Sequence, residues 1–102
     1  MSDTASQGAD AGIGTLRRTL PIANKRGLHA RAAAKFVRTA GQFDSLIRVS
    51  FKGQEVSGLS IMGLMMLAAG IGSEIELSSS GRQAIEAMAA LSALVEGKFG
   101  ED

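Results

Sequence analysis

Apolar and polar residues alternate in four short stretches of the chain, and this period-two pattern predicts four β-strands. In the first stretch, residues 16–23, apolar side chains recur at Leu16, Leu20 and Ile22 between polar or small neighbours. Pro21 cannot donate a hydrogen bond to a neighbouring strand, so this strand is expected at an edge of the sheet. The other strands are predicted at 46–51, 54–57 and 74–78.

Three further stretches repeat with the period of a helix. Apolar residues at positions 33, 36, 37 and 40 predict a helix that starts at Ala30 and is closed by Gly41. A second helix is predicted over 61–69, with Ser60 as its N-cap. After a turn at 79–81, a third helix is predicted over 82–96, and the side chains expected to be buried are Ile85, Met88, Leu91 and Val95.

These elements follow one another as strand, helix, strand, strand, helix, strand and helix. A sheet with one apolar face needs a layer of helices on that face only. We therefore predict a two-layer α/β (α+β) open-faced sandwich, with a four-stranded antiparallel sheet and three helices on one face. The 102 residues suffice for one such domain, expected at 15–97, between a disordered N-terminal arm (1–14) and a short acidic tail (98–102).

The second helix carries more apolar surface than one core face can use. Its apolar residues are Ile61, Met62, Leu64, Met65, Met66 and Leu67. A methionine stripe at helical spacing belongs more often to a core than to an interface, but methionine also suits adaptable binding surfaces. We expect half of this helix to face the sheet and the rest to face a neighbouring helix or a partner.

Charge is unevenly distributed along the chain, although the net charge is only +1. Residues 15–52 hold nine basic residues and one acidic residue, whereas residues 53–102 hold two basic and seven acidic residues. The basic half either favours an anionic partner or substrate, or simply provides solvated faces. Nucleic-acid binding is not favoured, because the basic residues have no aromatic neighbours suited to stacking.

Several classes of protein are excluded by composition. Without cysteine the chain can form neither a disulfide framework nor a thiolate metal site. No apolar run approaches the length that crosses a bilayer, and residues 1–14 lack the apolar centre of a signal peptide. We therefore expect a cytoplasmic protein with no membrane segment.

His29, the sole histidine, is the candidate for chemistry. It lies where a turn containing Gly27 meets the first helix, whose free N–H groups and dipole favour an anion. The backbone N–H groups of Ala30, Arg31 and Ala32, together with the Arg31 guanidinium, could hold a phosphoryl group on the imidazole. A lone histidine is more often a surface or capping residue. A hydrolase would need a second acid–base group or a metal, and no such residues lie beside His29 in the sequence.

Two segments resemble one known family. Residues 27–34, Gly-Leu-His-Ala-Arg-Ala-Ala-Ala, resemble the active-site segment of the HPr phosphocarriers of the phosphoenolpyruvate-dependent phosphotransferase system. Residues 57–67, Ser-Gly-Leu-Ser-Ile-Met-Gly-Leu-Met-Met-Leu, resemble the regulatory-serine helix of the same family. The two segments have the family's order and spacing, and the resemblance extends over roughly residues 15–97.

The resemblance implies a strand order of 1-4-2-3 and a surface shared by the first two helices, with Ser60 near His29. It implies that phosphorylated enzyme I donates a phosphoryl group to the Nδ1 atom of His29, and that an enzyme II-A type protein accepts it, without cofactor or metal. It makes Ser60 a candidate phosphorylation site for an HPr kinase/phosphorylase. A monomer is expected, and the candidate partner surface comprises Lys35, Ile61, Met62, Gly63, Met65 and Met66.

The chain also departs from the common family pattern. Ala32 stands where many members have proline, which adds an N–H donor at the helix start. Residues 61–67 and the ending 97–102 are more similar to the nitrogen-type (NPr) branch, which is mainly regulatory. Two alternatives remain: a module of the same fold that binds regulators without transferring phosphate, and a small-ligand regulatory domain on a similar sandwich.

Overall fold

The computed structural model describes residues 14–101, and its elements follow the predicted order. Residues 1–13, most of the predicted N-terminal arm, and Asp102 lie outside this range. The strands are β1 (Leu16–Pro21), β2 (Leu46–Phe51), β3 (Gln54–Ser57) and β4 (Glu74–Ser80). The helices are α1 (Ala30–Ala40), α2 (Ile61–Met66) and α3 (Ala84–Glu96), and a 3-10 turn, Lys98–Gly100, follows α3.

The four strands form one antiparallel sheet in the order β1-β4-β2-β3, as the family resemblance implies. β1 is an edge strand, which confirms the placement inferred from Pro21. Leu20 lies opposite Ile75, and Val49 lies opposite Leu77, and all four side chains are buried. The apolar positions of the central strands therefore face the same side, where the helices pack.

The helical layer closes the core on that side, as predicted for a two-layer sandwich. α1 contributes Phe36, which is fully buried, together with Ala32, Ala33 and Ala40. Val37 was expected on the buried face but is only partly buried, because it lies at the margin of this stripe. α3 packs on β1, β4 and α1, and α2 packs on α1 and β3.

Three predictions around the third helix are wrong. β4 continues to Ser80 instead of turning at residue 79, because Ser79 pairs with both neighbouring strands and its buried hydroxyl donates to the Ala84 carbonyl at 3.0 Å. α3 begins at Ala84, and Ile85 is 72% exposed rather than buried. The face toward the sheet is set by Ala84, Ala87, Met88, Leu91 and Val95, whose spacing leaves Ile85 outside the buried stripe.

α2 is shorter than predicted, because the chain leaves the helical conformation at Ala68, which has a φ of 56°. Leu64 and Leu67 are buried against the core. Four apolar side chains of α2 remain between 40% and 74% exposed: Ile61, Met62, Met65 and Met66. This division confirms that the helix has more apolar surface than the core uses. Within residues 14–101 no helix is long and apolar enough to cross a membrane.

The segment after α3 packs against the domain. Phe99 is fully buried in the core, although residues 98–102 read as a short acidic tail in the sequence. Lys98 and Phe99 both have positive φ values, 59° and 55°, and Gly100 has a φ of 75°. This tight turn sends the chain back over the start of α1, where the only histidine lies.

Candidate functional site

His29 is the N-cap of α1, which places it just before the helix, as its position in the sequence predicts. Its backbone is extended, with φ −73° and ψ 176°, and its carbonyl accepts the first hydrogen bond of the helix, from Ala33 N–H at 2.9 Å. The imidazole Nδ1 atom accepts a hydrogen bond from Arg31 N–H at 3.3 Å. The ring is thus directed over the first turn of the helix, and its Nδ1 faces the helical N–H groups.

The loop before His29 is held by hydrogen bonds at both ends. Asn24 is fully buried, and its side-chain amide donates to the Gly27 carbonyl at 2.9 Å. Leu28 N–H donates to the Ala69 carbonyl at 3.0 Å, which ties this loop to the segment after α2. Gly27 has a φ of 66° and lies against Ala69, where a side chain would not fit. The backbone that carries His29 therefore has little freedom.

Glu101 contacts His29 at Nε2, on the side of the ring opposite Nδ1. One of its carboxylate oxygens, Oε2, is hydrogen-bonded to His29 Nε2, and the other, Oε1, accepts from the Asn24 amide at 3.0 Å. The His29 and Glu101 side chains are only 14% and 18% exposed. The hydrogen bond from Asn24 holds the pKa of Glu101 below its ordinary value; burial opposes this shift, whereas His29 and the charge of Lys35 support it.

Arg31, Lys35 and Arg38 recur at i, i+4 and i+7 along α1, a spacing that predicts a basic stripe on the exposed side of the helix, and Lys35 departs from this prediction. The Lys35 side chain is half-buried instead of exposed, and its ammonium group donates a hydrogen bond to the Phe99 carbonyl at 2.6 Å. Arg31 and Arg38, the neighbouring members of that stripe, are exposed as expected. Lys35 therefore fastens the C-terminal turn to α1, while Arg31, two residues after His29, is exposed to solvent.

We expect an Arg31→Ala variant to lose phosphotransfer rate while keeping its fold. Removing an exposed side chain changes the free energy of unfolding by about 0.5 kcal/mol or less. A lost charged hydrogen bond to the phosphoryl group would raise the transfer barrier by about 1.5–3 kcal/mol. Arg38→Ala is the matched control, since it removes the same charge from the same helix away from His29. A large fall in melting temperature with an unchanged transfer rate would contradict this role.

Ser60 caps α2, as predicted. Its hydroxyl oxygen accepts from Gly63 N–H at 2.9 Å, and its carbonyl accepts from Leu64 N–H. A Cβ at Gly63 would lie 3.0 Å from the Ser60 hydroxyl and from Val56, which explains why glycine stands where a capping box has glutamate. α2 packs beside α1, but the hydrogen bond that joins the two regions comes from Leu28 and not from Ser60.

Two residues of the site, Asn24 and Glu101, are not predicted from the sequence. Asn24 is visible there only as part of a turn, and nothing in its spacing indicates that it is fully buried. Glu101 lies in a segment without apolar periodicity, 72 residues after His29. The signal that could have placed it is Phe99, a single aromatic residue that ends up in the core and draws Glu101 to His29.

Comparisons with known proteins identify the family of this chain. Residues 16–97 match the family model described as PTS HPr component phosphorylation site. The phosphocarrier protein HPr of Cupriavidus necator is 52% identical, over 84% of this chain and 97% of that relative. The phosphocarrier protein NPr of Shewanella violacea is 43% identical, over 84% of this chain and 94% of that relative.

Solved structures of HPr share the fold. The crystal structure of HPr from Thermoanaerobacter tengcongensis is 46% identical, with a TM-score of 0.82, and the match covers 85% of this chain and 98% of that one. HPr from Bacillus anthracis is 41% identical, with a TM-score of 0.76, over 79% and 96% of the two chains. From the family match and these identities, the chain belongs to the HPr family of phosphocarriers of the phosphotransferase system.

Proposed function

We propose that His29 accepts a phosphoryl group from phosphorylated enzyme I on its Nδ1 atom and passes it to an enzyme II-A type protein. The observation that carries the proposal is the hydrogen bond from Arg31 N–H to Nδ1, which directs that nitrogen toward the N-terminus of α1. A phosphoryl group bound there adds negative charge where helical N–H groups favour it. The protein is then a carrier, phosphorylated transiently, and works in the cytoplasm with the other soluble components.

The residues around Nδ1 have the chemistry to hold the phosphoryl group. The N–H groups of Ala30, Arg31 and Ala32 belong to the first turn of α1, where such groups have no partner within the helix. Arg31 can add a charge-assisted hydrogen bond, because it lies two residues after His29 and its side chain is exposed. In the unphosphorylated protein Arg31 N–H donates to Nδ1, and in the phosphorylated protein the same N–H can donate to a phosphoryl oxygen instead. Neither a metal nor a cofactor takes part in this transfer.

The exposed face of α2 is the proposed docking surface for both partners. Four of its apolar side chains are between 40% and 74% exposed, as in a surface patch that binds a partner. Methionine side chains can adapt to more than one partner. The surface comprises Ile61, Met62, Gly63, Met65 and Met66, with Lys35 from α1. Because Lys35 also binds the Phe99 carbonyl, its ammonium would have to be shared or released on docking.

Ser60 is proposed as a regulatory phosphorylation site at the margin of this surface. We expect a Ser60→Asp variant to accept phosphoryl from enzyme I more slowly than Ser60→Ala, because a negative charge beside an apolar surface must be desolvated when the partner docks. Aspartate can still cap α2, whereas alanine removes a cap worth about 1 kcal/mol, so both melting temperatures are measured. Equal acceptance rates at several enzyme I concentrations would leave Ser60 with the capping role alone.

We further propose that this protein works in a regulatory, nitrogen-type phosphotransferase system. It rests on the resemblance of residues 61–67 and of the ending 97–102 to the NPr branch. The relatives compared above include both names, and the one named HPr has the higher identity. Phosphotransfer from this protein to a sugar-type or a nitrogen-type enzyme II-A, at equal concentrations, tests the assignment. Faster transfer to the sugar-type acceptor would overturn it.

The test of the main proposal is incubation with phosphoenolpyruvate and enzyme I, followed by mass measurement of the intact protein. We expect the mass of one phosphoryl group to be added, in a form lost in acid and kept in alkali, as phosphohistidine is. A protein that stays unmodified, although a known HPr in the same mixture is phosphorylated, would favour the non-transferring interaction module instead.

A further inference from the structure

The four residues that follow Gly97 form a C-terminal strap (residues 98–101) over the start of α1. Phe99 anchors the strap in the core, and Lys35 binds the Phe99 carbonyl from α1. Gly100 N–H and Glu101 N–H donate to the Gly97 and Lys98 carbonyls, at 3.0 and 2.9 Å. The strap is therefore held by one buried aromatic side chain and by hydrogen bonds along its length. It delivers the Glu101 carboxylate to His29 Nε2.

The donors and acceptors around this carboxylate determine one arrangement of protons. Asn24 faces two acceptors, the Gly27 carbonyl and Glu101 Oε1, so its NH2 group must point toward both. An ionised carboxylate can only accept hydrogen bonds, and the lowered pKa of Glu101 favours the ionised form. His29 must therefore donate to Oε2, and its proton lies on Nε2.

The hydrogen bond on the Nδ1 side of the ring requires the same arrangement of protons. Arg31 N–H is a donor, so its hydrogen bond to Nδ1 requires a lone pair on that atom. The two contacts together select the neutral imidazole with a proton on Nε2 and a free lone pair on Nδ1. Either contact alone would leave the ring free to rotate, whereas the pair fixes its orientation as well.

We propose that Glu101 is a positioning residue for phosphotransfer, which holds His29 in the Nε2–H form so that Nδ1 is the nucleophile. This inference rests on the proposed function, since it concerns the same histidine. In the step itself, the Nδ1 lone pair forms the bond to phosphorus. The bond between phosphorus and the donor's leaving atom breaks, and its electron pair stays with the donor. The proton remains on Nε2, and the Glu101 carboxylate offsets the positive charge that the phosphorylated ring acquires.

The experiment compares Glu101→Gln with wild type and with Glu96→Gln as the matched control. Glu96 is an exposed glutamate near the end of α3 that pairs with Arg18 and does not contact His29. Glutamine is isosteric with glutamate but fits the site in neither orientation. Its NH2 group would meet either the NH2 group of Asn24 or the proton on His29 Nε2.

The first readout is the pair of ¹⁵N chemical shifts of the imidazole ring, recorded above the pH range in which histidine titrates, on protein without a histidine tag. Because His29 is the sole histidine, its two ring signals need no assignment. We expect wild type and Glu96→Gln to show a fully protonated Nε2 and an unprotonated Nδ1. In Glu101→Gln the two shifts should move toward each other, as the ring samples both neutral forms. Unchanged shifts would overturn the assignment of the tautomer to Glu101.

The second readout is the rate of phosphorylation by phosphorylated enzyme I. Carboxylates that orient a histidine change affinity or activity by about 10–100-fold in metal sites, and we expect about tenfold here. The loss should fall on kcat rather than KM, because the ring and not the docking surface is disturbed. Melting curves show whether each variant is folded, and Glu101→Ala, which removes both contacts, replaces the glutamine variant if that one does not fold.

The two proposals can fail separately. If wild type accepts no phosphoryl group, the proposed function fails, and the ring shifts still decide whether Glu101 fixes the tautomer. If wild type is phosphorylated and Glu101→Gln reacts at the same rate, the proposed function stands and Glu101 is not a positioning residue.

Discussion

A His29→Ala variant should take up no phosphoryl group from phosphorylated enzyme I. The protein has no second imidazole, so removal of this ring removes the only nitrogen that could form the phosphohistidine bond. Alanine also removes the N-cap of α1, which costs about 1 kcal/mol. The expected result is complete loss of acid-labile phosphate in a protein that still folds, measured by the mass of the intact chain before and after acid treatment.

His29→Asn is the matched control for stability. Asparagine is among the preferred N-cap residues, and its side-chain oxygen can accept from the first-turn N–H groups as Nδ1 does. We therefore expect His29→Asn to melt closer to wild type than His29→Ala and to be equally unable to accept phosphate. Acid-labile phosphate on either variant would show that another residue is the acceptor.

The local part of the site can be predicted from the sequence. A glycine turn, a histidine and an alanine-rich helix are consecutive, so their geometry depends on short-range backbone rules, and the N-cap position of His29 follows from them. The edge position of β1 follows in the same way, since it depends on the missing N–H of Pro21. The capping role of Ser60 can be predicted in the same way, because its hydroxyl accepts a hydrogen bond from an N–H group only three residues later in the chain.

The parts that were not predicted depend on packing between distant residues. Ile85 has the spacing of a core residue, yet the face of α3 that packs on the sheet runs through Ala84 and Ala87 and leaves Ile85 in solvent. Glu101 reaches His29 because the core has room for Phe99, which no periodic pattern in the last residues indicates. Such contacts are decided by tertiary structure, and local propensity does not contain them.

Gly27→Ala should be the most damaging substitution in the loop that carries His29. A Cβ at this position would lie 2.5 Å from the Ala69 carbonyl oxygen and 2.8 Å from Gly70 Cα, and both are backbone atoms that cannot turn aside. The left-handed φ of 66° adds a conformational cost. Together, overpacking and backbone strain predict a loss of about 2–5 kcal/mol in the free energy of unfolding.

The same substitution should also slow phosphotransfer. If the loop moves away from Ala69 to admit the methyl group, the Leu28–Ala69 hydrogen bond lengthens and His29, one residue on, shifts relative to Glu101 and to the helix start. Gly53→Ala is the matched control, because Gly53 has a φ of 81° but a Cβ there would meet no atom within 4 Å.

The control variant therefore carries the backbone cost alone, about 1–2 kcal/mol, and should transfer phosphate at the wild-type rate. The difference between the two variants in chemical denaturation measures the cost of crowding Ala69. Equal losses of stability in both variants would mean that the loop accommodates the methyl group at Gly27 with no free-energy cost beyond that of the backbone conformation. In that case the close approach of Gly27 to Ala69 is not what holds His29 at the helix start.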